Sequence, residues 1–245
     1  MRRLILLFLL PLVSLPLFSM SYYYTARMIR PSGTVTFEVW SDGQRARFET
    51  ADSTDPALPT GVTVITLDGG KTISLIPASK DRILRGTAQE FLGANRNRVA
   101  KAGITVQNVT NRAHPPQPAD SILGYQTQMY EFDIAFDMIQ NGKTSHVTVR
   151  QRFWMAAALP SANIMLRMVT NTSVGVPQLD QILDTNQALM QGMPMRRDVT
   201  ITVDGRTFDS TLQVNVFHPN VPLDPKLFTI PDLPVMHLPP APPVE

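Results

Sequence analysis

A mostly β, α+β fold built on a largely antiparallel sheet is predicted by three features of this sequence. Short runs of alternating apolar and polar residues recur, turn dipeptides separate them, and only two segments carry helical spacing. The run 34–40 (TVTFEVW) places Val35, Phe37 and Val39 on one face. Asp42-Gly43 after it is a type I′ hairpin signal leading into a partner strand over 44–50. Gly69-Gly70 joins 62–67 to 71–76 in the same manner. The longest pair, 125–136 and 144–154, brackets Asn141-Gly142, and the last pair, 196–203 and 206–217, brackets Asp204-Gly205. With 22–29 and 104–111 the pattern makes about ten strands, antiparallel wherever a hairpin joins them.

The helical segments interrupt this rhythm. Residues 87–100 lack proline, open on a capping threonine followed by Glu90, and end in basic residues. Residues 177–190 place Leu179, Ile182, Leu183 and Leu189 near one face, with Gly192 just beyond as a stop. The stretch 159–176 reads as a loop with one helical turn. Neither internal repeats nor an interdomain linker interrupt 22–231, which reads as one domain, and 232–245 are expected to form a proline-rich tail, extended or disordered.

The amino terminus carries an export signal. Arg2 and Arg3 precede an apolar run from Leu4 to Leu17, and Ser19 and Ser21 stand at the −3 and −1 positions of a cleavage before Tyr22. Pro11 and Pro16 cut the run, which falls short of the roughly 20 unbroken apolar residues of a spanning helix. Residues 1–21 are therefore expected to be removed on export to a periplasm, leaving no stable membrane anchor.

Removing Arg2 and Arg3 from 22 basic residues leaves 20, against 20 acidic ones. A neutral chain does not point to nucleic acid, whose binding needs a one-sided surplus of Lys and Arg. The clusters Arg196-Arg197 and Arg150/Arg152 read as solvated strand faces. Cysteine is absent, which excludes thiolate metal sites, redox pairs, cysteine nucleophiles and a lipid-modified cysteine. A secreted chain without disulfides points to a bacterial envelope.

No catalytic constellation emerges. Gly69-Gly70-Lys71-Thr72 imitates the end of a phosphate loop, but Ile65 stands where the earlier glycine belongs, and the context is a hairpin. His114, His146, His218 and His237 lack partners at metal-ligand spacing. Ser145 and His146 are adjacent on one strand, so their side chains point to opposite faces. Met165, Met168, Met190, Met193 and Met195 carry a spacing that Cu(I) could use. They equally suit an adaptable apolar interior, and no cofactor is expected.

Four pieces occur in a telling order. Leu123-Gly124-Tyr125 leads the longest strand, Trp154 closes its partner, Gly192-Met193-Pro194-Met195-Arg196 follows a helix, and Asp224-Pro225-Lys226-Leu227-Phe228-Thr229-Ile230-Pro231 ends the domain. In this order they resemble the bacterial periplasmic domains related to the outer-membrane lipoprotein carrier proteins, over most of the chain from Tyr22 to Pro231. One departure is that Thr127 or Gln128 stands where many relatives carry a cysteine. The resemblance implies a strongly curved, incomplete β-barrel with helices covering its concave face, around an apolar cavity that receives acyl chains in the carriers.

The expected function is non-catalytic binding of an apolar or acylated partner, a lipid or a lipoprotein. The competing expectation is an envelope protein-interaction or sensor module with a filled core and no small ligand. The expected cavity lining is Phe37 and Val39 on the first hairpin, Tyr130, Phe132, Ile134 and Phe136 along the longest strand, and Ile182 and Leu183 on the helix above it. Binding is expected to depend on these apolar residues rather than on any ionisable one.

Overall fold

The computed structural model of the chain describes residues 20–159 and 174–239. The expected export signal and most of the loop 159–176 thus lie outside the described residues. Among the described residues, no helix is long and apolar enough to cross a membrane.

The chain begins with a run of six strands: β1 (Tyr22–Arg30), β2 (Gly33–Ser41), β3 (Ala46–Ser53), β4 (Thr63–Thr66), β5 (Thr72–Ile76) and β6 (Ile83–Thr87). Helix α1 (Ala88–Lys101) then leads to β7 (Ile104–Ala113), β8 (Gln117–Ile122), β9 (Tyr125–Gln140) and β10 (Lys143–Ala156). Helix α2 (Pro177–Ala188), β11 (Met193–Val203), β12 (Arg206–Pro219) and the short β13 (Val235–His237) complete the chain. All thirteen strands belong to one curved, non-closed sheet in the order β13-β6-β5-β4-β3-β2-β1-β12-β11-β10-β9-β7, with β8 also on β9. Every pairing is antiparallel except β13 on β6. The expected mostly β, α+β class is what the chain adopts.

Curvature has local causes. Register shifts at Thr25/Ala26, Thr36/Phe37, Gln107/Thr110 and Trp154/Met155 insert extra residues that bend the strands. The two long hairpins have the geometry their dipeptides demand. Asn141 (φ 51°) and Gly142 (φ 75°), like Asp204 (φ 48°) and Gly205 (φ 83°), both occupy the left-handed region, as a type I′ turn requires. The first hairpin differs from expectation. Only Gly43 has positive φ, Asp42 carboxylate oxygens accept from Arg45 N and Nε, and β3 starts at Ala46 instead of Gln44. A longer loop replaces the two-residue turn because this aspartate cap closes it.

Three strands exceed the expected ten. Arg85 and Gly86 break the alternation of β6, and β8 contains Pro118, tolerated because β8 lies on the outer edge of β9. Within the expected tail, Val235–His237 pair with Ile83–Arg85.

The helices form where their caps place them. Thr87 accepts from Glu90 N while the Glu90 carboxylate accepts from Thr87 N, a reciprocal cap for α1. Pro177 sets the first turn of α2, and Asp180 Oδ1 accepts from Val174 N at 2.9 Å and Gly175 N at 3.3 Å. Val99 of α1 and Leu179 and Leu183 of α2 pack against Ile134, Phe136 and Val147, so the helices cover part of the concave face. Leu189, expected on that face, is the C-cap of α2 and is exposed.

A buried carboxylate, Asp55, ties the β1–β2 turn to the loop after β3. The Asp55 carboxylate accepts from Arg30, from Ser32 Oγ at 2.8 Å and from Ala57 N at 2.9 Å. Burial pushes this carboxyl up, but the Ser32, Ala57 and Arg30 donors outweigh it and hold it below its ordinary value. A depressed pKa stabilises the fold above the unfolded value of about 3.9, and the contribution is lost as pH falls through the folded value. Asp55→Asn is therefore expected to cost about 2–3 kcal/mol at pH 7. Urea melts should show the gap from wild type narrowing as the pH is lowered below the unfolded value of about 3.9.

Candidate functional site

The concave face is filled along one half and open along the other, and side-chain size decides which. Around β1–β3, Tyr24, Phe37, Val39 and Phe48 interlock, with the Phe37 and Phe48 rings 4.7 Å apart. At the Tyr125 end of β9, Tyr130 and Phe132 close against Phe153 and Met155. Toward the β9–β10 and β11–β12 turns, the inward positions of β10 and β11 hold valine and isoleucine instead. There a cavity of about 470 Å³ remains.

Strand register arranges its walls in rows. Phe136, Val147 and Val203 face one another across three strands, and Ile134, Val149 and Ile201 form the next row. Gln151 and Val199 form the third, and Arg197 stands one row further in. Val174, Leu179 and Leu183 contribute from the covering side. From Val203 to Arg197 the wall runs about 20 Å at the strand rise.

Arg197 is the residue that sequence reasoning misplaced. Adjacent strand residues face opposite sides, so Arg196 and Arg197 cannot both be solvated on one face. Arg196 is on the outer face, its guanidinium 4.7 Å from the Trp154 ring centroid and paired with Asp198 at 2.7 Å. Arg197 turns inward, between Phe153 and Leu212 in the register. Its guanidinium lies 5.5 Å from the Phe153 ring centroid, and its buried Nε has no hydrogen-bond partner. Burial pushes its pKa down to about 10, which still leaves it a cation at neutral pH.

Of the eight residues expected to line a cavity, the structure brings Ile134, Phe136 and Leu183 to it. Phe37 and Val39 lie in the filled core, and Tyr130 and Phe132 in the aromatic cluster beside Arg197 and Gln151. Ile182 lies on the other side of α2, beside Val106 and Val109. The missed lining residues (Val147, Val149, Gln151, Val199 and Ile201 with Arg197) share the inward phase of β10 and β11, which the alternation displays.

Polar clusters elsewhere are engaged with one another. His114, Glu131 and Asp133 come close enough to hold a metal ion. However, Arg150 and Arg152 already occupy both carboxylates, at 2.8 Å to Asp133 and 3.0 Å to Glu131. His146 Nδ1 meets Asp137 at 2.9 Å, while its backbone N–H donates to Asp204 Oδ1 at 2.9 Å. Gly69 and Gly70 form the β4–β5 turn, both with positive φ. Met193 and Met195 are fully packed in the core, and Met165 and Met168 lie outside the described residues.

The sequence matches no known family and no curated protein. Among solved structures, an uncharacterised conserved protein from Thermus thermophilus aligns with TM-score 0.42 and 10% identity, over 89% of this chain and 91% of its own. A domain from Vibrio parahaemolyticus named for outer-membrane lipoprotein sorting aligns with TM-score 0.31 and 8% identity, over 85% of this chain and 88% of its own. At these values neither likeness bears on function, which is read from the cavity.

Proposed function

We propose that this chain is a non-catalytic binding protein of the bacterial cell envelope that takes an apolar or acylated ligand, in the manner of the lipoprotein carriers. The observation that carries this reading is the cavity of about 470 Å³, whose lining is apolar apart from Gln151 and Arg197. That volume lies in the range of small-molecule sites and is far larger than the packing defects of ordinary cores. Burying one methylene gains about 0.8 kcal/mol, so half a dozen methylenes give affinity without any polar contact.

The test is uptake of a fluorescent acyl probe with an uncharged amide head. Wild-type protein should bind it saturably. Leu183→Trp, which fills the space from the covering helix and changes no sheet residue, should weaken uptake about tenfold, or roughly 1.4 kcal/mol. Circular dichroism checks that the variant folds. If wild type takes up no probe, the reading fails. A protein-docking role then gains weight from the cross-strand pair Ile201 and Phe208, both exposed beside the cavity.

A further inference from the structure

The cavity is not uniformly apolar, and its polar atoms are gathered at one end. Gln151 opposes Val199 on the neighbouring strand, and Arg197 is two residues along that strand on the same face, so the two are diagonal neighbours. Gln151 is a buried residue on the cavity wall, and its side-chain amide makes no hydrogen bond among the described residues. Arg197 Nε is equally unpartnered, and no carboxylate forms an ion pair with this guanidinium among the described residues. Residues 160–173 contain no Asp or Glu.

A largely buried cation without a counter-ion is costly, and the apolar side chains around the Gln151 amide offer it nothing in return. Apolar substitution at either position would remove it, so these groups have no structural task that their surroundings reveal. Phe153 offers the guanidinium only the weak attraction of its ring, and Leu212 on the other side offers nothing polar. What the pair lacks is an anionic oxygen, and what the remaining 20 Å or so of wall offers is room for a hydrocarbon chain.

We infer that Arg197 and Gln151 form a headgroup site, and that the ligand is a single-chain amphiphile bound with an anionic oxygen head inward against them. This rests on the acyl-binding reading above and names the ligand class within it. The planar guanidinium fork suits a carboxylate or a phosphate, held by two parallel N–H donors, and the Gln151 amide supplies a further donor. The alkyl chain then runs along the strands, across the Val149–Ile201 and Val147–Val203 rows toward the turn ends of the hairpins, under Leu179 and Leu183.

The experiment displaces the uncharged acyl probe from the full chain with four ligands sharing one sixteen-carbon chain: the fatty acid, its methyl ester, the alcohol and the alkyl phosphate. A charge-assisted hydrogen bond in place of none corresponds to roughly ten- to a hundredfold in affinity. The acid should therefore displace the probe at least tenfold more effectively than the ester or alcohol. Arg197→Met should bring that ratio to about one, and Gln151→Leu should lower it in part. Both variants should melt no earlier than wild type, because each removes an unsatisfied polar group. Greater potency of the phosphate than of the acid would assign the head to a phosphate, and the reverse to a carboxylate. Equal displacement by acid and ester in wild type would overturn the headgroup site while leaving acyl binding intact. So would a ratio that survives Arg197→Met together with a lowered melting temperature, the behaviour of an arginine that serves the fold alone. Absence of probe uptake in wild type would overturn both.

Discussion

Gly192→Val should lose at least about 4 kcal/mol of stability, because an added side chain there meets backbone more closely than at Gly33 or Gly175. Two penalties coincide at this position. Its φ of +86° lies in the left-handed region, which a β-branched residue enters only under strain. In addition, a Cβ there would stand 2.2 Å from the Ala156 carbonyl oxygen and 2.6 Å from the Ala157 Cα. These are backbone atoms at the end of β10, where Ala156 pairs with Met193, so they cannot yield without opening the β10–β11 ladder. Gly124 supplies the control, with φ of +83° and nothing within 4 Å of the added atom. Gly124→Val should cost only about 1–2 kcal/mol, the conformational part alone. Urea midpoints of the two variants separate the contributions. If they fall together, the close approach at Gly192 is misdescribed. The glycine that opens the Gly192-Met193-Pro194-Met195-Arg196 motif thus has a physical reason that spacing alone does not reveal.

Much of the sheet is legible in the sequence because its signals are redundant. In β9–β10 and β11–β12, alternation sets the faces while Asn141-Gly142 and Asp204-Gly205 set the register, and a shift by one residue would turn every apolar side chain to solvent. The first hairpin departs from expectation where a single dipeptide carries the inference and the Asp42 side chain closes a longer loop. Strand β8 is invisible since Gln117 to Ile122 has no buried side chain to create alternation. The cavity is only partly legible, and the reason is volume. Aromatic residues suggest a lining, yet Phe37, Tyr130, Phe132 and Phe153 are large enough to meet across the fold and fill it. Space survives where the facing residues are Val147, Val149, Val199 and Ile201. Arg197 is found by extending the phase of Val199, Ile201 and Val203 back by two residues, since the same periodicity that makes them inward makes it inward too.

Phe132→Asp should abolish cooperative folding at neutral pH, and so cannot serve as a test of binding. Phe132 is 1% exposed and meets Phe153 edge-on with ring centroids 6.1 Å apart. It opposes Gln151 on β10 and lies one row from the pairing of Tyr130 with Phe153, at the boundary between the filled core and the cavity. Removing the ring alone costs about 3–5 kcal/mol by lost transfer energy and cavity formation. Adding a carboxylate among apolar rings, with only the neutral Gln151 amide opposite it, costs several more, because neither desolvation nor protonation at pH 7 is cheap. The sum is comparable to the whole stability of an ordinary domain, about 5–15 kcal/mol. Arg197 does not rescue it: the Phe132 side chain points into the aromatic cluster with Tyr130 and Met155, and the shorter aspartate would stay there. Phe132→Leu, which keeps most of the apolar volume, should lose only about 1–2 kcal/mol and retain probe uptake. Thermal melts followed by circular dichroism, paired with the uptake assay, distinguish the two. A folded Phe132→Asp protein with a sharp melt would mean that this position faces solvent or a wet cavity, and the boundary drawn between core and binding site would have to move inward.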